Sequence, residues 1–369
     1  MKKALWLLTI AVALTACHKD PPANPDQNIG TIEGVGKVLV LNEGQMGSNN
    51  ATLDLISCSD GTYKNNVFKG TDGQGLGDVG NDIAINGNEI WIVVNNSGIV
   101  EVLSKDDLNE IAAIKIPTPR NIAFDEDYAY VSSWAGAYVV YGEDWSVTDY
   151  KNPKGCVYRI DLKTKEIKGS VEVGYQPEGL AVSGDKLYVA NSGGISYNVT
   201  FTYDNTVSVI DTKSFSVSKT IEVAVNLNKV YADSKGLVYV TSLGDFYTLS
   251  SGLYTINQSG EVFIVEDYVS VSAFLDDCIY WIGNKEEFDY AATERTWKAF
   301  KCTNGDKEEI QLDLDGVKPF GLCALGGGQF LISDAGDYVN PGTVSLFRDG
   351  KKVKTVTAGV SPGHFAILK

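Results

Sequence analysis

Residues Val173–Gly194 read VGYQPEGLAVSGDKLYVANSGG. A Pro-Glu-Gly turn leads into a short apolar run, a Gly-Asp-Lys turn follows, and a second apolar run ends in Asn-Ser-Gly-Gly. Short runs of Val, Leu and Tyr between Gly, Asn and Asp turns indicate two antiparallel β-strands rather than a glycine-rich catalytic loop. The same pattern returns along the chain, so this stretch is one copy of a repeated unit.

The other copies begin roughly 40 to 58 residues apart, which is typical of four-stranded propeller blades. They start at Asn81, Pro119, Leu227, Val271, Pro319 and Pro362. Most are followed by a third strand such as NTVSVID and a fourth such as SKTIEV. The differences in length fall in one loop of each unit, as expected when the strands are fixed and a single connection varies.

The last copy, PGHFAILK, supplies only a first strand, and residues Lys37–Phe68 supply the missing strands of the same unit. We therefore predict an all-β, seven-bladed propeller over residues 37–369, closed by one blade that both termini share. Such closure removes exposed sheet edges. The alternative, an open β-sandwich, does not explain why the C-terminal fragment matches the start of every repeat.

The N-terminus, MKKALWLLTIAVALTAC, has a basic start, a short apolar run and small residues before Cys17. It resembles a bacterial lipoprotein signal peptide over residues 1–16, with lipid attached to Cys17 and a tether over residues 17–36. The residues after Cys17 resemble the export signals of Bacteroidetes surface lipoproteins, which implies an outer-membrane anchor facing the cell exterior. The alternative is an ordinary secretory signal with an incidental cysteine.

The formal net charge of −16 argues against a nucleic-acid partner, which needs a basic surface to displace counterions from phosphates. Only two histidines occur, and His18 lies in the tether, so His364 is the single candidate base for a nucleophilic triad. The sequence GLGDVG from Gly75 lacks the strand before it and the helix after it that a dinucleotide site needs. These patterns predict a binding protein rather than an enzyme, without a catalytic cofactor or metal.

Five cysteines follow the tether, with no CxxC pair and no histidine near them. Cys278 opens one predicted strand and Cys302 closes the next. An exported compartment permits disulfides. We predict a Cys278–Cys302 bridge, with buried free thiols as the alternative.

Long insertions all fall on one predicted face of the propeller, which we call the loop face. It holds the loops that lead into each innermost strand and the loops that follow each second strand. The opposite turn face carries tight turns such as SGDK and DSKG. Aromatic rings with polar neighbours are suited to ligand binding, although single loop aromatics could equally pack between blades. The candidate ligand-binding residues are Asn81, Arg120, Trp134, Tyr175, Gln176, Asn191, Tyr197, Tyr203, Asp245, Tyr247, Trp297, Phe320, Asp334, Tyr338 and His364.

The motifs VLNEGQMGSNNATLD, LGDVGNDI, VGYQPEGLAV, YDNTVSVID and DAGDYVNPGT resemble the YncE-like propeller lipoproteins of Bacteroides. Within them the chain looks most like the BtuG-type cobamide-capturing proteins. That resemblance implies tight binding of vitamin B12 (cobalamin) and other cobamides, and transfer to a BtuB-type TonB-dependent transporter. Arg120 would suit the ligand phosphate, and His364 either approaches cobalt or serves the loop.

Three other functions stay open at this level. Trp and Tyr platforms with Asp and Asn also suit a surface glycan, and a propeller can serve as a protein-interaction scaffold. A propeller lactonase would need a metal cluster on the axis, for which Asp82, Asn121, Glu178 and Asn191 are the candidates.

Overall fold

A computed structural model of the chain describes residues 27–68, 70, 73, 75–142, 144, 146–193, 203–285 and 296–369. These residues form 31 β-strands and no helix. It follows that no helix in this part of the chain has the length and apolarity to cross a membrane.

The strands form seven antiparallel blades and one separate hairpin. The N-terminal strands are β1 (Gln27–Asn28), β2 (Lys37–Asn42), β3 (Thr52–Ser57) and β4 (Thr62–Lys64). Blade 1 comprises β5 (Gly80–Asn86), β6 (Glu89–Val94), β7 (Ile99–Ser104) and β8 (Glu110–Lys115). In the next segment, β9 (Pro119–Phe124), β10 (Tyr128–Ser133), β13 (Lys154–Asp161) and β14 (Ile167–Tyr175) form blade 2, while β11 (Tyr138–Tyr141) and β12 (Val147–Lys151) form the hairpin.

The remaining strands complete the ring. Blade 3 comprises β15 (Pro177–Ser183), β16 (Lys186–Asn191), β17 (Thr206–Asp211) and β18 (Ser216–Glu222). Blade 4 comprises β19 (Leu227–Ala232), β20 (Val238–Ser242), β21 (Gly252–Ile256) and β22 (Val262–Asp267). Blade 5 comprises β23 (Val271–Leu275), β24 (Cys278–Gly283), β25 (Lys298–Thr303) and β26 (Asp306–Ile310). Blade 6 comprises β27 (Gly321–Gly326), β28 (Gln329–Asp334), β29 (Pro341–Arg348) and β30 (Lys351–Val360), and the last strand is β31 (Pro362–Leu368).

Blade 7 closes the ring as the sequence predicts. Its strand order is β1-β4-β3-β2-β31, so the C-terminal strand is innermost and pairs with β2 from Lys37↔Leu368 onward. The seven-bladed all-β propeller is thereby confirmed. The innermost strands of neighbouring blades pack around a central axis, and apolar clusters fill the wedges between blades.

The tether predicted over residues 17–36 overlaps the folded domain. Strand β1 adds to the outer edge of blade 7 through Gln27↔Tyr63, and Ile29 and Ile32 are buried in the core between blades 6 and 7. The propeller predicted from residue 37 therefore already includes Gln27. Strand β1 has only two residues, which is too short to show an alternating hydrophobic pattern, so the sequence does not predict it.

Blade 7 is also held by a buried carboxylate. Asp54 accepts hydrogen bonds from Tyr63 Oη at 2.8 Å and from the backbone N–H groups of Asn66 at 2.8 Å and Gly359 at 3.2 Å. Burial raises the pKa of Asp54, and these hydrogen bonds oppose the rise. Because Gly359 belongs to β30, this network ties the N-terminal strands to blade 6.

The predicted Cys278–Cys302 bridge is wrong. Cys278 pairs with Thr303, and Cys302 pairs with Ile279. Since successive residues of a strand point to opposite faces, the two sulfurs lie on opposite faces of the sheet. Both are buried free thiols.

Candidate functional site

Exposed apolar side chains are concentrated on the loop face. Of sixteen exposed large hydrophobic residues in the described ranges, ten lie there: Met46, Tyr138, Val140, Tyr150, Tyr175, Phe246, Tyr247, Leu249, Tyr338 and Val339. The other six lie on the outermost strands of blades: Ile111, Ile167, Val217, Phe263, Ile264 and Val353. The described part of the turn face has none. A concentration of large exposed apolar groups on one face indicates a binding surface.

A cavity of about 770 Å³ lies on the propeller axis and is lined by the innermost strands of all seven blades. This volume is within the range of small-molecule sites, roughly 300–1,000 Å³. About half of its wall is polar, with carboxylates from Glu43, Asp82 and Glu178 and cations from Arg120, Lys229 and Lys369. Asp82, Arg120, Glu178 and Lys229 lie in the first part of innermost strands, and Glu43 follows β2, so these charges lie toward the loop face. Lys369 follows β31 and lies toward the turn face.

Arg120 is the centre of a contact that spans three blades. Its Nε donates to both carboxylate oxygens of Glu178, at 3.0 and 3.2 Å, and its guanidinium lies 4.3 Å from the ring centre of Trp134. The amide of Asn81 donates to the Arg120 carbonyl at 2.7 Å. The structure thus brings together three predicted residues, but it neutralises the charge that Arg120 was expected to offer to a phosphate.

Predicted aromatic and acidic residues meet again on other blades. Phe320 leads into β27 and contacts Tyr338, which follows β28, edge to face at 5.6 Å between ring centres. Tyr203 lies near Asp245, whose charge adds to burial in raising the Tyr203 pKa. Loops before the first strand and after the second strand therefore share one face.

Asp245 shapes its own loop. It accepts hydrogen bonds from the backbone N–H groups of Tyr247, Thr248 and Leu249 at 2.7 to 2.9 Å. Burial raises the pKa of Asp245, but the hydrogen bond from the Thr248 hydroxyl and these backbone bonds outweigh burial and hold the pKa well below its usual range. The turn leaves Tyr247 61% exposed. The loop that Asp245 stabilises thus exposes the Tyr247 ring, while the Asp245 carboxylate is engaged in hydrogen bonds.

Several candidates are structural residues rather than surface groups. Asn191 is fully buried, where it accepts from Gly174 N and donates to Thr206 and Ser208, each within 3.1 Å. Gln176 is also buried and donates to Asn152 at 3.0 Å. We correct both assignments, because these buried amides hydrogen-bond to groups of blades 2 and 3 and are not surface groups for a ligand.

The remaining candidates differ in accessibility. Trp297 packs against the core between blades 5 and 6, and Asp334 accepts from Gly336 N at 2.7 Å as a turn residue. His364 lines the cavity with its Nε2 3.1 Å from Glu43 Oε1, and Tyr175 is 40% exposed at the rim. Tyr197 lies outside the described residues.

The four residues considered for a lactonase metal do not form a donor set. Asn191 is engaged inside blade 3, Glu178 is paired with Arg120, and Asn121 Oδ1 accepts from the Lys229 ammonium at 3.1 Å. Across the described residues, no group of three or more His, Cys, Asp or Glu side chains is arranged to hold a metal ion.

Lys229 is the cavity residue that sequence reasoning missed. It reaches from β19 of blade 4 to Asn121 of blade 2, past β15 of blade 3. This crossing needs Gly179, where a Cβ would lie 2.8 Å from the Lys229 Cα and 2.5 Å from the Asn228 carbonyl. The lysine inside the inner strand of the copy that begins at Leu227 was the available signal, because Asp82, Arg120 and Glu178 hold similar places in the inner strands of other blades.

No protein-family model matches the chain, and no curated protein sequence matches it. Among solved structures, the chain is similar to hydrazine synthase from Kuenenia stuttgartiensis, with a TM-score of 0.58 and 16% sequence identity. The match covers 77% of this chain and 88% of that one. At this identity the likeness shows the propeller fold alone, which is compatible with a binding role.

Proposed function

We propose that this chain is a BtuG-type surface lipoprotein, without enzymatic activity, that captures cobalamin and related cobamides on its loop face. In this proposal Cys17 carries the lipid anchor in the outer membrane. The captured ligand passes to a BtuB-type TonB-dependent transporter.

The observation that supports the proposal is the one-sided set of exposed apolar side chains around an axial cavity. A corrinoid is a broad disc with an amide-bearing edge and a nucleotide tail. Such a disc suits a wide rim of tyrosine and phenylalanine rings, and the narrower tail suits a cavity at its centre. The charged residues at the mouth of the cavity add hydrogen-bonding groups for the polar edge.

The test is calorimetric titration of the purified full chain, in detergent, with cyanocobalamin. We expect binding far tighter than micromolar, and no heat of binding at micromolar cyanocobalamin would contradict the proposal. A glycan array on the same protein separates this function from surface glycan binding.

Exposed aromatic residues provide matched variants for the same titration. Tyr247→Ala and Tyr338→Ala each remove a ring from the loop face, where the two residues are 61% and 58% exposed. We expect at least one to weaken cyanocobalamin binding by about tenfold or more, as for a buried interface anchor. The control is Phe263→Ala, 54% exposed on the outermost strand β22, which should bind like the wild type.

A further inference from the structure

Two loops on the loop face share a sequence and a backbone conformation. Residues Gly244–Phe246, which read GDF, follow β20 of blade 4, and residues Gly336–Tyr338, which read GDY, follow β28 of blade 6. The glycine and the aromatic residue have left-handed backbone angles in both loops, with φ of 66° and 63° in the first and 63° and 63° in the second. A bulky side chain rarely adopts this conformation, because its Cβ crowds the backbone. Strain of this kind is concentrated at functional sites, where the surrounding contacts hold it in place.

In both loops the aspartate holds the strained turn. Asp245 Oδ1 accepts from the backbone N–H groups two and three residues further on, at 2.9 and 2.7 Å, and Asp337 Oδ1 does the same at 3.0 and 2.8 Å. The side chain of the third residue closes each turn, since Thr248 donates to Asp245 Oδ2 at 2.6 Å and Asn340 donates to Asp337 Oδ2 at 2.7 Å. Both carboxylates are thus engaged within their own loops and have the same structural role.

The two turns expose apolar side chains beside the axial cavity. These exposed side chains are Phe246, Tyr247, Leu249, Tyr338 and Val339. Leu243, which directly precedes the blade 4 loop, lines the cavity. Phe320 also lines the cavity and contacts the Tyr338 ring edge to face, at 5.6 Å between ring centres. Both loops therefore lie at the loop-face end of the cavity, with blade 5 between them.

We propose that Asp245 and Asp337 are positioning residues of the ligand site, and that the two loops which they fix hold one flat ligand between them. Neither carboxylate contacts the ligand in this arrangement. Each holds its exposed apolar side chains in place before binding, so that less conformational freedom is lost when the ligand arrives. The roles of the two aspartates stand on their hydrogen bonds. The identity of the flat ligand, the corrin ring of a cobamide, rests on the proposed function.

The decisive comparison is between alanine and asparagine at the two aspartates, by calorimetric titration of the full chain with cyanocobalamin. Asp245→Ala and Asp337→Ala should each weaken binding by about tenfold, because each frees apolar side chains that must be ordered again on binding. Asparagine keeps an oxygen that accepts from the backbone N–H groups, so Asp245→Asn and Asp337→Asn should bind within about threefold of the wild type. A carboxylate that contacted the ligand through its charge would lose as much with asparagine as with alanine. That result, a loss in only one of the two loops, or no loss in either would overturn the inference.

Asp161→Ala is the matched control. Asp161 Oδ1 accepts from the backbone N–H groups of Lys163 and Thr164 at 3.0 and 2.8 Å, in the same pattern, but in the tight turn between β13 and β14 on the turn face. This variant should bind cyanocobalamin like the wild type. Where circular dichroism shows that an alanine variant is unfolded, Thr248→Val or Asn340→Ala replaces it. Each removes a single hydrogen bond from its turn, and the same criterion of a loss in both loops applies.

A second probe keeps this inference separate from the proposed function. If the wild type binds no cyanocobalamin, the proposed function fails, and the flat apolar dye anilinonaphthalene sulfonate tests the two loops instead. This dye binds exposed hydrophobic surface. Dye fluorescence that both Asp245→Ala and Asp337→Ala reduce, and that Asp161→Ala leaves unchanged, supports a shared site. Fluorescence that only one or neither of the two variants reduces, or no dye binding by the wild type, rules the shared site out.

Discussion

Replacing Arg120 by methionine tests whether Arg120 stabilises the loop face or is available to bind a ligand. The guanidinium is bound to both oxygens of Glu178 and stacks on Trp134. Its side chain is 18% exposed and that of Glu178 is 9% exposed. Methionine keeps much of the apolar contact but leaves the Glu178 carboxylate without its counter-ion.

Removal of one partner from a buried ion pair costs about 3–5 kcal/mol, because the remaining charge is uncompensated. The partial exposure of Arg120 places the expected loss at about 3 kcal/mol. A chain of 369 residues unfolds with an entropy of about 0.8 kcal/mol/K, at about 2.1 cal/mol/K per residue. The melting temperature of Arg120→Met should therefore fall by about 4 °C.

Thermal unfolding followed by circular dichroism measures this difference. The double variant Arg120→Met/Glu178→Met removes both charges and should regain most of the lost stability, since an apolar pair can replace a buried ion pair. Lys352→Met also replaces a cation by methionine, on the exposed outer strand β30, and should melt like the wild type. A fall of less than 1 °C for Arg120→Met, or a double variant no more stable than the single one, would contradict a structural role.

Three further predictions concern stability and thiol chemistry. Tyr63→Phe removes a 2.8 Å hydrogen bond to buried Asp54 and should lower the free energy of unfolding by about 2 kcal/mol in urea titrations; an unchanged midpoint would contradict it. Burial raises the pKa of Glu101 from 4.5 to about 7, so Glu101 binds a proton more tightly in the folded protein than in the unfolded protein. Unfolding free energy should therefore rise as pH falls from 8 toward 5, and Glu101→Gln should lose this dependence. Cys278 and Cys302 should both be alkylated in the unfolded protein without reductant, and protection of the pair would restore the disulfide prediction.

The blades were predictable because each repeats the same two signals, an apolar strand pair and a tight turn. The C-terminal fragment matched the first strand of every copy, so the closure of the ring could be predicted as well. The one-sided loop face followed from the up-and-down course of the strands. These properties depend on patterns that span many residues, which a sequence displays directly.

Individual site residues were harder to predict. Asn191 and Gln176 look like surface amides after a strand or before one, but both are buried. Asn191 bonds to Gly174 of blade 2 and to hydroxyls of its own blade 3, and Gln176 donates to the Asn152 side chain. Arg120 looks like a free cation because Glu178 is 58 residues away in sequence. Lys229 gave only the weak signal of one charge in an inner strand. Each of these outcomes depends on contacts between blades that no local pattern encodes.

The position of β31 has a consequence for biosynthesis. A nascent chain that extends only to Val360 has the strands of six blades, while β2 still presents an unpaired edge. Pairing of Lys37 with Leu368 joins residues from almost opposite ends of the sequence, a long-range contact of the kind that slows folding. We therefore expect the ring to stay open, with its edge exposed to aggregation, until translation has delivered residues 362–368. Chaperones would have to shield that one edge, rather than any blade, during this interval.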